Sequence, residues 1–189
     1  LMGHLRRPQA RFGLLNLPTL SPAGAAIASV NRIAYISPEG NLRTVKPDGA
    51  DRIAVTTDAE LRRSATVRRL YAYPTWSPNG QSIAVMALTS EADGTATLFV
   101  SPVPGGGLKP IYKSDTSIPF YLQWSPDSRR IAFLAGESDE IALNVINPES
   151  AESFSVGKGS SYYFAWSPDS QMMLTHADGS RRQSTEASI

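Results

Sequence analysis

The sequence predicts an all-β protein assembled from repeated four-stranded antiparallel sheets. Three observations predict it. One phrase recurs three times, as WSPNGQSIAVMA from Trp76, WSPDSRRIAFLA from Trp124 and WSPDSQMMLTHA from Trp166. The tryptophans are spaced by 48 and 42 residues, a period that marks propellers and repeat arrays. Short β-prone runs alternate with turn clusters, and 14 Pro and 14 Gly in 189 residues fit a turn-dense chain.

The unit around Trp76 shows the logic. Tyr73 to Trp76 is a short aromatic run that reads as a strand. Ser77-Pro78-Asn79-Gly80 follows as a turn, because Pro fixes φ and Asn-Gly tolerates positive φ. Ile83 to Met86 is an apolar second strand, Thr95 to Val100 a third, and Leu108 to Tyr112 a fourth, with turns at Asp93-Gly94 and Pro104 to Gly107. The next unit repeats this order with Tyr121–Trp124, Ile131–Leu134, Ala142–Ile146 and Ser153–Val156. An earlier unit keeps strands at 32–36, 42–45 and 52–55, and its Ile33 stands 50 residues before Ile83. After Trp166 there is one turn and one strand, then a polar tail without strand pattern.

The phrases resemble the TolB-like β-propeller repeat, a relative of WD repeats, whose phrase is roughly W-S-P-D-G-x-x-I-A-F. Trp124, Ser125, Pro126 and Asp127 with Ile131-Ala132-Phe133 match it closely. So do Trp76, Ser77 and Pro78 with Gly80, Ile83 and Ala84. Trp166, Ser167, Pro168 and Asp169 match at the front only, since Met172-Met173-Leu174 replaces the usual strand. The first unit looks like the second to fourth strands of the repeat without the first. The resemblance implies an incomplete β-propeller of about three blades plus a partial fourth. The expected organisation is a leader over 1–31, repeats over 32–179 in units of about 32–57, 71–113, 120–157 and 162–179, and a tail over 180–189. It also implies an extracytoplasmic setting, periplasmic or at the cell surface.

Propellers close with four to eight blades, and three units with a stub fall short of that. The expectation is a chain cut within a longer propeller. The alternative is an incomplete propeller that associates with itself through open blade edges.

Composition is that of an ordinary globular chain, with 41% apolar and 19% charged residues. No run approaches the length of a membrane-spanning helix, so no membrane span is expected. The stretch from Phe12 to Val30 is mildly apolar but broken by Pro18, Pro22 and Gly24; it reads either as the remnant of a signal or anchor region or as a lead-in strand, and no basic segment with a long apolar core identifies a signal peptide. Cysteine is absent, which removes disulfides, thiolate metal sites and a cysteine nucleophile together.

Charge is uneven. Residues 1–70 hold 11 Lys/Arg against 5 Asp/Glu, whereas 71–189 hold 7 against 12. The basic part peaks at Arg62, Arg63, Arg68 and Arg69, in the connection between the first two units. Such connections lie on one rim of a propeller. The segment reads either as a patch for an acidic partner or, more commonly, as a solvated loop. No base-stacking aromatics are interleaved in it, so no nucleic acid is expected.

A second candidate is a tyrosine ladder. Tyr73, Tyr121 and Tyr163 each precede a repeat Trp by three residues. Strand alternation puts them on the face opposite the Trp, beside Thr75, Gln123 and Ala165. They either ring one mouth of the central channel or pack between blades. The burial of both blade faces favours packing.

Catalytic and cofactor signals are thin. His4 and His176 are the two histidines, and neither sits in a triad arrangement. There is no G-x-S-x-G elbow and no calcium loop, and Gly157-Lys158-Gly159-Ser160-Ser161 lacks the P-loop spacing. That segment reads as a blade connection. No cofactor or metal is expected. The function expected is a non-catalytic scaffold for a protein or peptide partner, bound at the rim arginines and the channel-mouth tyrosines. The alternative, implied by similar repeats in prolyl-oligopeptidase-like serine peptidases, is a gating propeller preceding a catalytic domain.

Overall fold

A computed structural model describes residues 31–62, 66–90, 94–103, 106–137, 139–178 and 187–188. The expected leader, His4, Arg63 and most of the polar tail lie outside the described residues. The fold is an all-β, incomplete propeller of four antiparallel sheets.

The first sheet holds β1 (Ile33–Ile36), β2 (Leu42–Val45) and β3 (Ile53–Ala54). The second holds β4 (Arg68–Trp76), β5 (Ser82–Ser90), β6 (Thr95–Pro102) and β7 (Lys109–Ser114). The third holds β8 (Ile118–Trp124), β9 (Ile131–Glu137), β10 (Glu140–Ile146) and β11 (Ser153–Gly159). The fourth holds β12 (Ser161–Trp166), β13 (Met172–Asp178) and β14 (Ala187–Ser188). Strands follow one another in chain order within every sheet, as tight turns require.

Two expectations are corrected here. Gly157 to Gly159 is not a blade connection. It continues β11, with Gly157 opposite Leu143 and Gly159 opposite Ile141, after a register shift at Leu143/Asn144 lets the strand run on. The tail is not without strand structure either, because Ala187 and Ser188 pair with Met173 and Met172.

The Ser-Pro turn is built the same way in three sheets. Ser77 Oγ donates to Asn79 Oδ1 at 2.7 Å and accepts from the Ser82 N–H at 3.0 Å. Ser125 Oγ donates to Asp127 Oδ1 at 2.6 Å and accepts from the Arg130 N–H at 2.9 Å. Ser167 Oγ does likewise with Asp169 at 2.5 Å and the Met172 N–H at 2.9 Å. The fourth turn position has positive φ each time: Gly80 at 69°, Ser128 at 65° and Ser170 at 63°. The serines also link sheets. The Asn79 N–H donates to Ser128 Oγ and the Asp127 N–H to Ser170 Oγ, both at 3.0 Å.

Apolar side chains fill the three junctions between sheets. Ala34, Ile36, Leu42 and Val55 of the first sheet meet Tyr71, Ile83, Val85 and Trp76 of the second. Ala84, Leu98, Val100 and Ile111 meet Trp124, Ile131 and Phe133. Ala132, Leu134, Leu143 and Val145 meet Trp166 and Met173. Each repeat Trp therefore faces the preceding sheet, and each second strand divides its residues between two junctions by simple alternation.

Candidate functional site

The tyrosine ladder lies on β4, β8 and β12, the edge strand of each sheet. All three side chains are more exposed than packing between blades, the favoured expectation, would leave them, although the Tyr121 ring touches Phe164 of the fourth sheet. Tyr73, Tyr121 and Tyr163 are 53%, 57% and 65% exposed.

Two of the three are displayed by backbone irregularities. The pairing of β4 with β5 shifts between Ala72 and Thr75, and that of β8 with β9 between Phe120 and Gln123. Tyr73 and Tyr121 sit inside these bulges with φ of 54° and 51°. That region is rare for bulky side chains and costs roughly 1–2 kcal/mol per residue. The bulge also inverts alternation. Tyr71, an odd number of residues from Trp76, shares Trp76's junction, and Phe120 faces the fourth sheet while Trp124 faces the second. In β12 the pairing is regular from Ser161 to Trp166, and Tyr163 stands opposite His176.

Around Tyr121 and Tyr163 the strands form an aromatic cleft of about 270 Å³, lined also by Phe120, Leu134, Tyr162 and Phe164. The Tyr121 ring meets Phe164 edge-on, with centroids 5.6 Å apart at 84°. Tyr163 lies 6.2 Å from the His176 ring at 31°. Tyr162 approaches the backbone of Gly157 closely, since a Cβ there would lie 2.9 Å from its hydroxyl. The result is a surface of apolar faces and phenolic edges.

The arginines do not form one loop patch. Arg68 and Arg69 are in β4, opposite Ser90 and Thr89, because their strand pairing starts earlier than the aromatic run suggested. Arg62 is held by Glu60, whose carboxylate accepts its backbone N–H at 2.8 Å and its guanidinium at 2.6 Å. These bonds from Arg62 pull the Glu60 carboxyl down to about 2. Arg69 pairs with Asp58 at 2.5 Å, and the Tyr71 hydroxyl donates to the other Asp58 oxygen at 2.8 Å. Burial pushes the Asp58 carboxyl up, but Tyr71 and Arg69 outweigh it and hold it below the usual range. Burial and the bond to Asp58 push the Tyr71 phenol up to about 12. Arg68 instead edges an apolar cleft of about 300 Å³ with Leu61, Leu70, Leu88 and Ile118. Sequence reasoning missed Asp58 and Glu60; the only signal was their place just before the basic run.

Among the described residues no group of three His, Cys, Asp or Glu side chains converges to hold a metal ion. Among them, too, no helix is long and apolar enough to cross a membrane.

No protein-family model matches the chain, and no curated protein matches it. Solved structures do. TolB from Acinetobacter baumannii superposes with a TM-score of 0.59 at 17% identity, over 78% of this chain and 36% of that one. Puromycin hydrolase gives 0.58 at 15% identity, over 75% and 25%. Acylaminoacyl peptidase from Pyrococcus horikoshii gives 0.52 at 16% identity, over 80% and 27%. The chain thus spans about a quarter to just over a third of these proteins' lengths. At such identities the likeness concerns architecture, and the architecture of this chain is that of a TolB-like β-propeller.

Proposed function

We propose that the chain is a non-catalytic scaffold that takes an extended peptide or protein segment along its tyrosine-bearing edge strands. The observation that carries this reading is the display of Tyr73 and Tyr121 at two equivalent bulges with positive φ. Strain kept twice at one repeat position, with an exposed aromatic at its tip, is characteristic of a surface selected for contact. Tyrosine supplies large rigid contact area and a polar edge at low entropic cost. Arg68, at the start of β4, would add charge for the same partner. The setting that accompanies a TolB-like propeller is extracytoplasmic.

Panning a random peptide library on the folded chain tests the reading, with a Tyr73→Ser/Tyr121→Ser/Tyr163→Ser variant as counter-screen. Enriched peptides are expected to bind the variant at least tenfold more weakly by calorimetry. Equal affinity for both proteins would refute the tyrosine surface.

A second reading draws on the two hydrolases that share the fold. Here the chain is a gating propeller of a serine peptidase, and its tyrosines border the substrate's way in. A G-x-S-x-G elbow encoded downstream in the same reading frame would favour it; further Trp-Ser-Pro units followed by a stop would favour the scaffold.

A further inference from the structure

Three sheets close the same Ser-Pro turn, and one of them closes it with an asparagine. Asp127 and Asp169 hold the third turn position in the third and fourth sheets, each followed by serine. In the second sheet the pair is Asn79-Gly80, and Asn79 alone of the six asparagines precedes a glycine. That pair is chemically distinct. The side-chain amide of an asparagine is open to attack by the main-chain nitrogen of the next residue, and glycine offers that nitrogen with no Cβ to shield it.

The folded turn commits both reacting groups elsewhere. The Gly80 N–H donates to the Ser77 carbonyl at 2.8 Å, the bond that closes the turn. Asn79 Oδ1 accepts from Ser77 Oγ at 2.7 Å and from the Gln81 N–H at 3.0 Å. The Asn79 N–H donates to Ser128 Oγ of the third sheet at 3.0 Å. Attack requires the amide to leave Ser77 and Gln81 and the Gly80 nitrogen to leave Ser77, which is to open the turn.

The same bonds say which product the fold accepts. One carboxylate oxygen of Asp127 and of Asp169 already takes a serine hydroxyl and the N–H two residues on, as Asn79 Oδ1 does. An aspartate at 79 would keep these bonds and lose only the long one, 3.4 Å, from Asn79 Nδ2 to Gln81 Oε1. An isoaspartate runs the main chain through the side-chain carbon. It adds one atom between the N–H held by Ser128 and the nitrogen held by Ser77, so the turn no longer closes on both.

We propose that Asn79 is a latent deamidation site that the folded turn keeps closed, and that its isoaspartate product prevents the turn from re-forming. The Gly80 nitrogen bonds to Asn79 Cγ. The side-chain nitrogen leaves with the Gly80 amide proton as ammonia, and a five-membered imide remains. Water then opens the imide at either carbonyl, giving aspartate or isoaspartate. Water is the only co-reactant.

Incubating the 189-residue chain at mildly alkaline pH, with peptide mass mapping of the Asn79 segment, tests this. The folded chain is expected to convert Asn79 at least tenfold more slowly than the same chain in guanidinium chloride. Ser77→Ala removes the hydroxyl that Asn79 Oδ1 accepts, and is expected to speed conversion in the folded chain. Gly80→Ser places there the residue that Ser128 and Ser170 show at the same positive φ, so it is expected to fold and to slow conversion of the unfolded chain. Asn79→Asp is expected to keep the native unfolding midpoint. A native chain aged in denaturant and refolded is expected to unfold earlier than Gly80→Ser aged in the same way. Equal conversion of folded and unfolded native chains would overturn the closed turn, whether or not Ser77→Ala folds. A folded Ser77→Ala no faster than native would overturn the role of these bonds, and equal midpoints of the two aged chains would overturn the isoaspartate block.

Discussion

The indole N–H of Trp124 donates to the main-chain carbonyl of Thr75 at 3.2 Å, tying the third sheet to the edge strand of the second. The other two repeat tryptophans make no such bond. Among the described residues, the indole nitrogens of Trp76 and Trp166 are buried without a partner. One sequence phrase thus has unequal energetic content. Trp124→Phe removes a satisfied hydrogen bond as well as volume, whereas Trp166→Phe removes an unsatisfied donor. In urea unfolding, Trp124→Phe is expected to cost about 1–2 kcal/mol more than Trp166→Phe. Equal losses would mean that the bond to Thr75 contributes nothing.

The serine links between turns predict an order among variants. Ser170 is buried, has φ of 63° and accepts the Asp127 N–H. Ser170→Ala keeps the strained φ and strands that N–H, at a cost of about 1–3 kcal/mol. Ser170→Gly loses the same bond but relaxes the backbone, recovering up to about 1 kcal/mol. Glycine is expected to be the better replacement in thermal unfolding. Alanine matching it would show that φ carries no strain there.

Tyr71 predicts an alkaline signature. Its phenol is raised to about 12, first by burial and then by its bond to Asp58. A raised folded value means that the folded state holds the proton more tightly than the unfolded one. The contribution is therefore complete below the ordinary phenol value of 10.0 and is lost as pH rises through about 12. Phenolate absorbance is expected to show one of the seven tyrosines ionising late, and Tyr71→Phe to delete that component.

Glu60 predicts an acid one. Bonds from Arg62 lower its carboxyl from 4.5 to about 2. Its contribution is present above 4.5 and lost as pH falls through about 2. A carbon-detected NMR titration is expected to place the Glu60 midpoint near 2 and return it toward 4.5 in Arg62→Gln. An ordinary midpoint in the native chain would remove the pairing.

The floor of the aromatic cleft depends on one missing side chain. A Cβ at Gly157 would come within 2.9 Å of the Tyr162 hydroxyl. Gly157→Ala is expected to push the Tyr162 ring and to destabilise by about 1–3 kcal/mol through overpacking. Chemical shifts of the Tyr121 and Phe164 rings, which flank the same cleft, should move with it. Unchanged ring shifts would show that Tyr162 does not shape the cleft.

The sequence by itself determined the repeat, the Ser-Pro turns and the inward tryptophans. Their physics is local: Pro fixes a dihedral, Ser and Asp close a turn two residues apart, and period-two burial follows from the strand. What only the tertiary structure decided is what the edge strands display. Alternation carries over from residue to residue until one extra residue enters a strand; Pro74, which cannot donate to the ladder, marks the bulge beside Tyr73, but nothing in Tyr121-Leu122 announces the other. Two of the arginine charges are met, Arg69 by Asp58 eleven residues before it and Arg62 by Glu60, and Arg68 stands in β4 instead of a loop, placements that composition alone does not give.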